Sequence, residues 1–152
     1  MNFFEGIVSN ELLLSAALSW LFAQIIKTIL HMCVTKKFDA ERLIGTGGMP
    51  SSHSATVSSL ATAVAISRGS DSPEFAIALI LAIVVMYDAL GVRRETGKQA
   101  VIINEMIEVF NDMGKPMSAE EKLKIFVGHT PMQVLAGCIL GIIMAFVICG
   151  IV

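Results

Sequence analysis

The chain has 152 residues, room for one domain; 55% are apolar, 16% are charged, and mean hydropathy is +0.74. A water-soluble domain of this size carries about a quarter charged residues, so the composition points to a membrane protein. The net charge is −2 and there is no basic stripe interleaved with aromatics, which excludes nucleic acid as a partner.

The N-terminus opens with Glu5 and Glu11 rather than Lys or Arg. Its apolar run continues past the usual length with no small-residue cleavage site, so it does not read as a signal peptide. A first span is expected over residues 12–34, interrupted by Ser15, Ser19, Gln24, Lys27 and His31. It is long enough to cross a hydrocarbon core of about 30 Å. A polar stretch follows with Lys36, Lys37, Asp39, Glu41 and Arg42, and Gly45, Gly47 and Gly48 make its end a loop. The second span, 50–67, starts with Pro50 and a serine cap. It carries Ser54, Thr56, Ser58, Ser59 and Thr62. Small residues let helices approach closely in lipid, so this helix is expected in the middle of a bundle. Its apolar length is marginal, which makes it the weakest of the four spans.

Residues 68–73, Arg-Gly-Ser-Asp-Ser-Pro, form a turn, and the third span covers 74–91. Over 95–126, Val101, Ile102, Met106, Ile107, Val109 and Phe110 recur among charges at helical spacing. That predicts an amphipathic helix lying on the membrane or against the bundle. Residues 111–116 break it, and 118–121 resemble a capping box for a second short helix. The fourth span, 129–152, contains Gly137 and Gly141 at GxxxG spacing, a packing or dimer contact. Cys33, Cys138 and Cys149 form neither a CxxC pair nor a ligand set and are read as small buried hydrophobes. The expected fold is therefore all-α: one integral membrane domain over 1–152, with about four transmembrane helices and an amphipathic helix between the third and fourth.

Nine of the eleven Lys and Arg lie after the first and third spans: Lys36, Lys37, Arg42, Arg93, Arg94, Lys98, Lys115, Lys122 and Lys124. The positive-inside rule puts those loops in the cytoplasm and both termini outside. Four features then land on the cytoplasmic face. These are the Gly-rich loop, the start of the second helix with His53, the end of the third with Arg93 and Arg94, and the start of the fourth with His129. Lys27 lies a turn or two below the same surface. Helix N-termini offer unpaired N–H groups and a positive dipole end. The arginine fork matches phosphate oxygens, and a lysine inside a span is costly enough to be functional by default. Singly, each has a bland explanation: a capping histidine, anchoring arginines, a snorkelling lysine. Together they describe an anion site. A structural membrane protein without a ligand leaves that gathering unexplained.

Gly47-Gly48-Met49-Pro50-Ser51-Ser52-His53-Ser54-Ala55 resembles the Pro-Ser-Gly-His motif of type 2 phosphatidic acid phosphatases, a superfamily of lipid phosphatases and vanadium haloperoxidases. The run from Gly128-His129-Thr130-Pro131 to Ala136-Gly137 resembles its His-containing third motif, and Tyr87-Asp88-Ala89 with Gly91-Val92-Arg93-Arg94 recurs in the divergent branch. The resemblance covers residues 12–152. It implies His129 as the nucleophile that forms a phosphohistidine and His53 as the general acid. Lys27, Gly48, Ser51, Ser52, Arg93 and Arg94 would hold the phosphate. No metal and no cofactor are implied. In-line phosphoryl transfer needs charge stabilisation around three oxygens, which such a set supplies.

The chain departs from that pattern. The aspartate that would orient His129 is Gln133, with Asp88 on the adjacent helix end as a substitute. The motif glycine is Ser52, the first-motif arginine is Val34, and 34 residues separate Arg94 from His129 where the family has a short connection. Two readings follow. One is a metal-independent phosphatase acting on a lipid or polyprenyl phosphate at the cytoplasmic face of the bacterial cytoplasmic membrane. The other is a non-enzymatic protein that binds or moves a lipid phosphate with a degenerate site. The haloperoxidases are soluble with larger scaffolds, and this chain is neither. Membrane lipids and a phosphorylated lipid are the expected partners, and the Gly- and Ala-rich faces add the expectation of a homodimer.

Overall fold

The computed structural model describes residues 2–36, 48–113 and 129–151, without the side chains of Phe3, Val92, Arg93, Arg94 and Ile151. Loop residues 37–47, the segment 114–128 with the short helix expected at 118–121, and Val152 lie outside the described residues. Among the described residues there are six helices: α1 (Phe3–Val8), α2 (Glu11–Thr35), α3 (Ser52–Arg68), α4 (Pro73–Leu90), α5 (Val92–Asp112) and α6 (Pro131–Ile151). No strand occurs among the described residues.

Local chemistry sets the helix ends. The Asn10 side chain accepts the Leu12 and Leu13 N–H groups at 3.0 and 3.2 Å and starts α2. Ser72 does the same for α4 through Phe75 N–H at 3.2 Å, with Pro73 in the first turn. Gly69, at φ 92°, ends α3 in a conformation that L-residues rarely adopt.

α2, α6 and the helix that begins at Pro73 are long and apolar enough to cross a membrane. α3 has 17 residues, ~25 Å of rise against a core of ~30 Å. By length and composition, three helices among the described residues qualify as spans, where the sequence suggested about four. α3 is instead the hub, packed against α2, α4 and α6.

The register is read from paired residues. Ser15 meets Ser59, and Ser19 meets Ala55, so α2 and α3 run antiparallel. Ser51 meets Gln133, and Ser58 meets Cys138, so α3 and α6 run parallel. A Cβ at Gly137 would collide with the Ser51 carbonyl, and one at Gly141 with Ser58 Oγ and the Ala55 carbonyl. The GxxxG face is therefore consumed inside the chain, against α3, rather than offered to a second copy.

The distribution of side chains is inverted relative to a water-soluble protein. The largest fully buried side chains are all serines: Ser15, Ser19, Ser51, Ser54 and Ser59. Leu13, Trp20, Phe22, Ile80, Ile83, Ile143 and Phe146 point outward. In lipid, exposure of a large apolar residue costs nothing, and small residues with satisfied hydroxyls hold helices together. The hydroxyls are satisfied: Ser15 and Ser59 Oγ atoms lie 2.7 Å apart, Ser59 Oγ donates to the Ser15 carbonyl at 3.1 Å, and Ser19 Oγ donates to the Ala55 carbonyl at 3.0 Å. The molecule is an integral membrane protein.

Two expectations are corrected. Only Gly91 separates α4 from α5, and α5 begins at Val92, so Arg93 and Arg94 sit in the first turn of the amphipathic helix and not at the end of the third span. Cys33 is exposed near the end of α2, while Cys138 and Cys149 are half-buried. The inward face of α2 follows Ser19, Ala23, Gln24, Lys27 and Thr28, and Cys33 falls off that stripe.

Candidate functional site

The antiparallel and parallel pairings bring the end of α2, the start of α3, the end of α4 and the start of α6 to one end of the bundle. Two backbone bonds tie them. His129 N–H donates to the Ala89 carbonyl at 3.2 Å, joining α6 to α4, and Ser51 N–H donates to the Gln133 carbonyl at 3.0 Å, joining α3 to α6.

His53 and His129 face each other across this junction. Their ring centroids are 6.0 Å apart and their planes are tilted by 58°. His129 is buried and His53 half-buried. His53 lies in the first turn of α3, and His129 lies just before α6, so both rings share the positive ends of helices.

Gln133 governs the orientation of His129. Thr130 and Gln133 form a capping box at the start of α6. Gln133 Oε1 accepts Thr130 N–H at 3.0 Å, and Thr130 Oγ1 accepts Gln133 N–H at 3.4 Å. A backbone N–H can only donate, so the atom it meets is the amide oxygen, which settles which way the amide points. The same oxygen lies 3.3 Å from His129 Nδ1. That is long for a hydrogen bond, but an acceptor there favours the Nδ1–H tautomer and leaves the lone pair on Nε2.

Lys27 approaches from α2. It is buried, and its Nζ donates to Gln24 Oε1 at 2.7 Å. Gly48, at φ 82°, lies on its stem: a Cβ there would stand 3.2 Å from Lys27 Cγ. The glycine of the loop is thus required twice, for its left-handed backbone and for its lack of a side chain.

A family model described as the divergent PAP2 family matches residues 8–144. The chain belongs to the divergent PAP2 family. The uncharacterized membrane protein YuiD of Bacillus subtilis (strain 168) is 41% identical over 151 residues, covering 93% of this chain and 96% of that protein. No solved structure matches.

In this member of the divergent PAP2 family the expected site residues are not all brought together. His53, His129 and Gln133 lie together, and Lys27 touches Gly48 of the loop leading into α3. Ser51 and Ser52 are buried at the start of α3. Ser51 has structural duties: its Oγ caps the helix, accepting from Ser54 N–H and Ser54 Oγ at 3.3 and 3.0 Å, and its N–H belongs to Gln133. The first-turn N–H groups at Ser52 and His53 point outward along the helix axis, as at any helix N-terminus. Asp88, half-buried, immediately precedes the carbonyl that accepts from His129 N–H; the contact to Nδ1 is made by Gln133. Arg93 and Arg94 are in the first turn of α5, with side chains outside those described.

Sequence reading missed two participants. Gln24, three residues before Lys27, is buried and holds its ammonium. An i,i+3 polar pair inside an apolar span was the available signal. Thr130 is the second, and Thr-Pro-Met-Gln is itself the capping-box pattern with proline in the first turn.

Proposed function

We propose that this protein is a metal-independent membrane phosphatase that hydrolyses a lipid or polyprenyl phosphate ester through a phosphohistidine. The observation that carries the reading is the facing pair His53 and His129, 6.0 Å between centroids, with Nδ1 of His129 turned toward Gln133. The Nε2 lone pair of His129 attacks phosphorus, forming the P–N bond as the P–O bond to the lipid breaks. His53 gives its proton to the departing oxygen. In the second half His53 takes a proton from water, whose oxygen attacks phosphorus, and the P–N bond breaks to release phosphate and His129. Lys27, the first-turn N–H groups of α3, and Arg93 and Arg94 neutralise the phosphoryl oxygens. The charge count on the loops supports the reading that this end faces the cytoplasm, in a bacterial cytoplasmic membrane.

A second reading has its own support. Gln133 can accept the imidazole N–H but carries no charge to stabilise an imidazolium, which suits a protein that binds a lipid phosphate without cleaving it. Phosphate release from a panel of lipid phosphates by detergent-purified protein decides between them. The phosphatase reading expects release that vanadate inhibits, EDTA spares and His129→Ala abolishes. Vanadate binding without release from any ester would overturn it in favour of the binding protein.

A further inference from the structure

A groove of about 300 Å³ runs between α4 and α6 with α3 as its floor. Ala61 and Ala65 of α3, Leu79 and Met86 of α4, and Cys138 and Ile142 of α6 line it. The groove starts at Ser58, five residues past His53, and ends at Ala65, twelve past it. At 1.5 Å per residue it spans ~8 to ~18 Å from the histidine along α3. Met86 marks the histidine end and Phe75 the far end, because α4 runs antiparallel to α3.

The wall is hydrocarbon. Two hydroxyl residues, Ser58 and half-buried Thr62, interrupt it; Ser58 Oγ is 2.6 Å from the Ser54 carbonyl and 3.2 Å from the Cys138 carbonyl, so its hydrogen is already engaged. α4 and α6 each pack on α3 and only lightly on each other. The slot between them is therefore open sideways, and Leu79 and Ile142 at its rim are 40% and 38% exposed. It opens to the lipid-facing surface on one side, and its end nearest the histidine pair is marked by Ser58, about one turn beyond the first turn of α3. An apolar cavity of about 150 Å³ takes up one benzene, six carbons. By that ratio about 300 Å³ holds on the order of a dozen carbons, which is one chain and not two.

We propose that this groove receives the single hydrocarbon chain of a monoester whose phosphate sits at the histidine pair, making the preferred substrate a single-chain alkyl or isoprenoid phosphate rather than a two-chain glycerolipid. The place of the phosphate rests on the phosphatase reading; the occupant of the groove rests on its shape, lining and opening to lipid.

The test uses the full chain in detergent at fixed detergent mole fraction, with linear alkyl phosphates of increasing length, farnesyl phosphate and a long-chain phosphatidate. The same protein is photolabelled with an alkyl phosphate bearing a diazirine at its chain end. kcat/KM rises with chain length and levels off near twelve carbons, phosphatidate is a poorer substrate, and the label maps to groove residues. Farnesyl phosphate outrunning dodecyl phosphate identifies an isoprenoid groove, and the reverse an alkyl one. Ala65→Phe, which blocks the far end, moves the plateau to shorter chains and costs roughly tenfold on dodecyl phosphate, the equivalent of about two methylenes kept out. Ile143→Phe, on the outward face at 53% exposure, leaves the profile unchanged. Groove labelling without phosphate release from any ester sustains the groove and sinks the phosphatase. Release that ignores chain length, phosphatidate turned over as fast as dodecyl phosphate, or label confined to outward faces overturns the groove while leaving the phosphatase standing. The wild-type label decides the matter even where Ala65→Phe does not fold.

Discussion

Gly137→Ala probes the contact on which the rest of the site depends. The new Cβ would collide with the Ser51 carbonyl and stand 3.0 Å from Ser54 Cβ. That carbonyl cannot swing away, because it accepts Ala55 N–H at 3.0 Å, while Ser51 N–H holds the Gln133 carbonyl at 3.0 Å. The helices must part. Overpacking costs about 1–3 kcal/mol, loss of the Ser51–Gln133 bond costs about 1 kcal/mol more, and replacing a helical glycine returns about 0.5–1 kcal/mol. The net expectation is destabilisation by about 1–3 kcal/mol, together with weaker vanadate binding, since Gln133 moves with the joint. Gly141→Ala meets Ser58 Oγ and the Ala55 carbonyl instead. It should destabilise comparably yet bind vanadate nearly as wild type. At Gly150 a Cβ meets nothing within 4 Å, so Gly150→Ala is neutral or mildly stabilising. Reversible unfolding in mixed micelles gives the first quantity and vanadate titration the second. A Gly137→Ala protein within about 0.5 kcal/mol of wild type, the range of an inconsequential surface change, would refute the close α3–α6 approach.

Other expectations test different joints. A double-mutant cycle of Ser15→Ala and Ser59→Ala should give a coupling near ~0.6 kcal/mol and no more than ~1.7 kcal/mol; zero coupling in micelle unfolding would remove the α2–α3 rung. Gly48→Ala forces a left-handed alanine, about 1–2 kcal/mol, and displaces Lys27. It should weaken vanadate binding as Lys27→Met does, with the double variant no weaker than Lys27→Met alone; additive losses would separate the two residues. Gln133→Leu loses the α6 cap, about 1 kcal/mol by unfolding, and with it any phosphate release. Gln133→Glu keeps an acceptor for both Thr130 N–H and His129 Nδ1 and adds a charge that favours imidazolium, so the acid limb of the pH–rate profile moves to higher pH; an unmoved limb would take Gln133 away from His129.

The membrane character and the convergence of the histidines were legible because both are written in runs. Long apolar stretches place α2, α4 and α6, and the short turn between α3 and α4 fixes which of their ends meet. The hub position of α3 was legible in its serines and alanines, since only small residues allow the approach seen at Gly137 and Gly141. The status of α3 as a span was less so: at 17 residues its ends are set by Ser51 and Gly69, not by an apolar length. The end of the third span at Gly91 was legible, but the amphipathic helix was expected only from residue 95 and begins at Val92, so Arg93 and Arg94 were grouped with the third helix. Gln24 went unread as a partner because its i,i+3 spacing to Lys27 was not set against the need of a buried ammonium for an acceptor. The role of Gly48 against Lys27 depends on a contact between α2 and a loop 21 residues away, which no local pattern encodes.

The exchange of an aspartate for Gln133 separates two services that a carboxylate performs at once. A carboxylate holds the imidazole and also stabilises the cation that forms when the ring takes up charge. Here the first service passes to a capping box: Thr130 N–H fixes the amide oxygen at 3.0 Å, and that oxygen then faces His129 Nδ1 at 3.3 Å. Orientation and tautomer survive, because they require only an acceptor. The electrostatic part does not, because the amide is neutral. A site built this way still keeps the lone pair of His129 on Nε2, so its affinity for a tetrahedral oxyanion should exceed what its rate of phosphorus chemistry would suggest. The ratio of vanadate affinity to turnover, compared between the wild type and Gln133→Glu, measures how much of a phosphatase remains when the histidine is aimed but not charged.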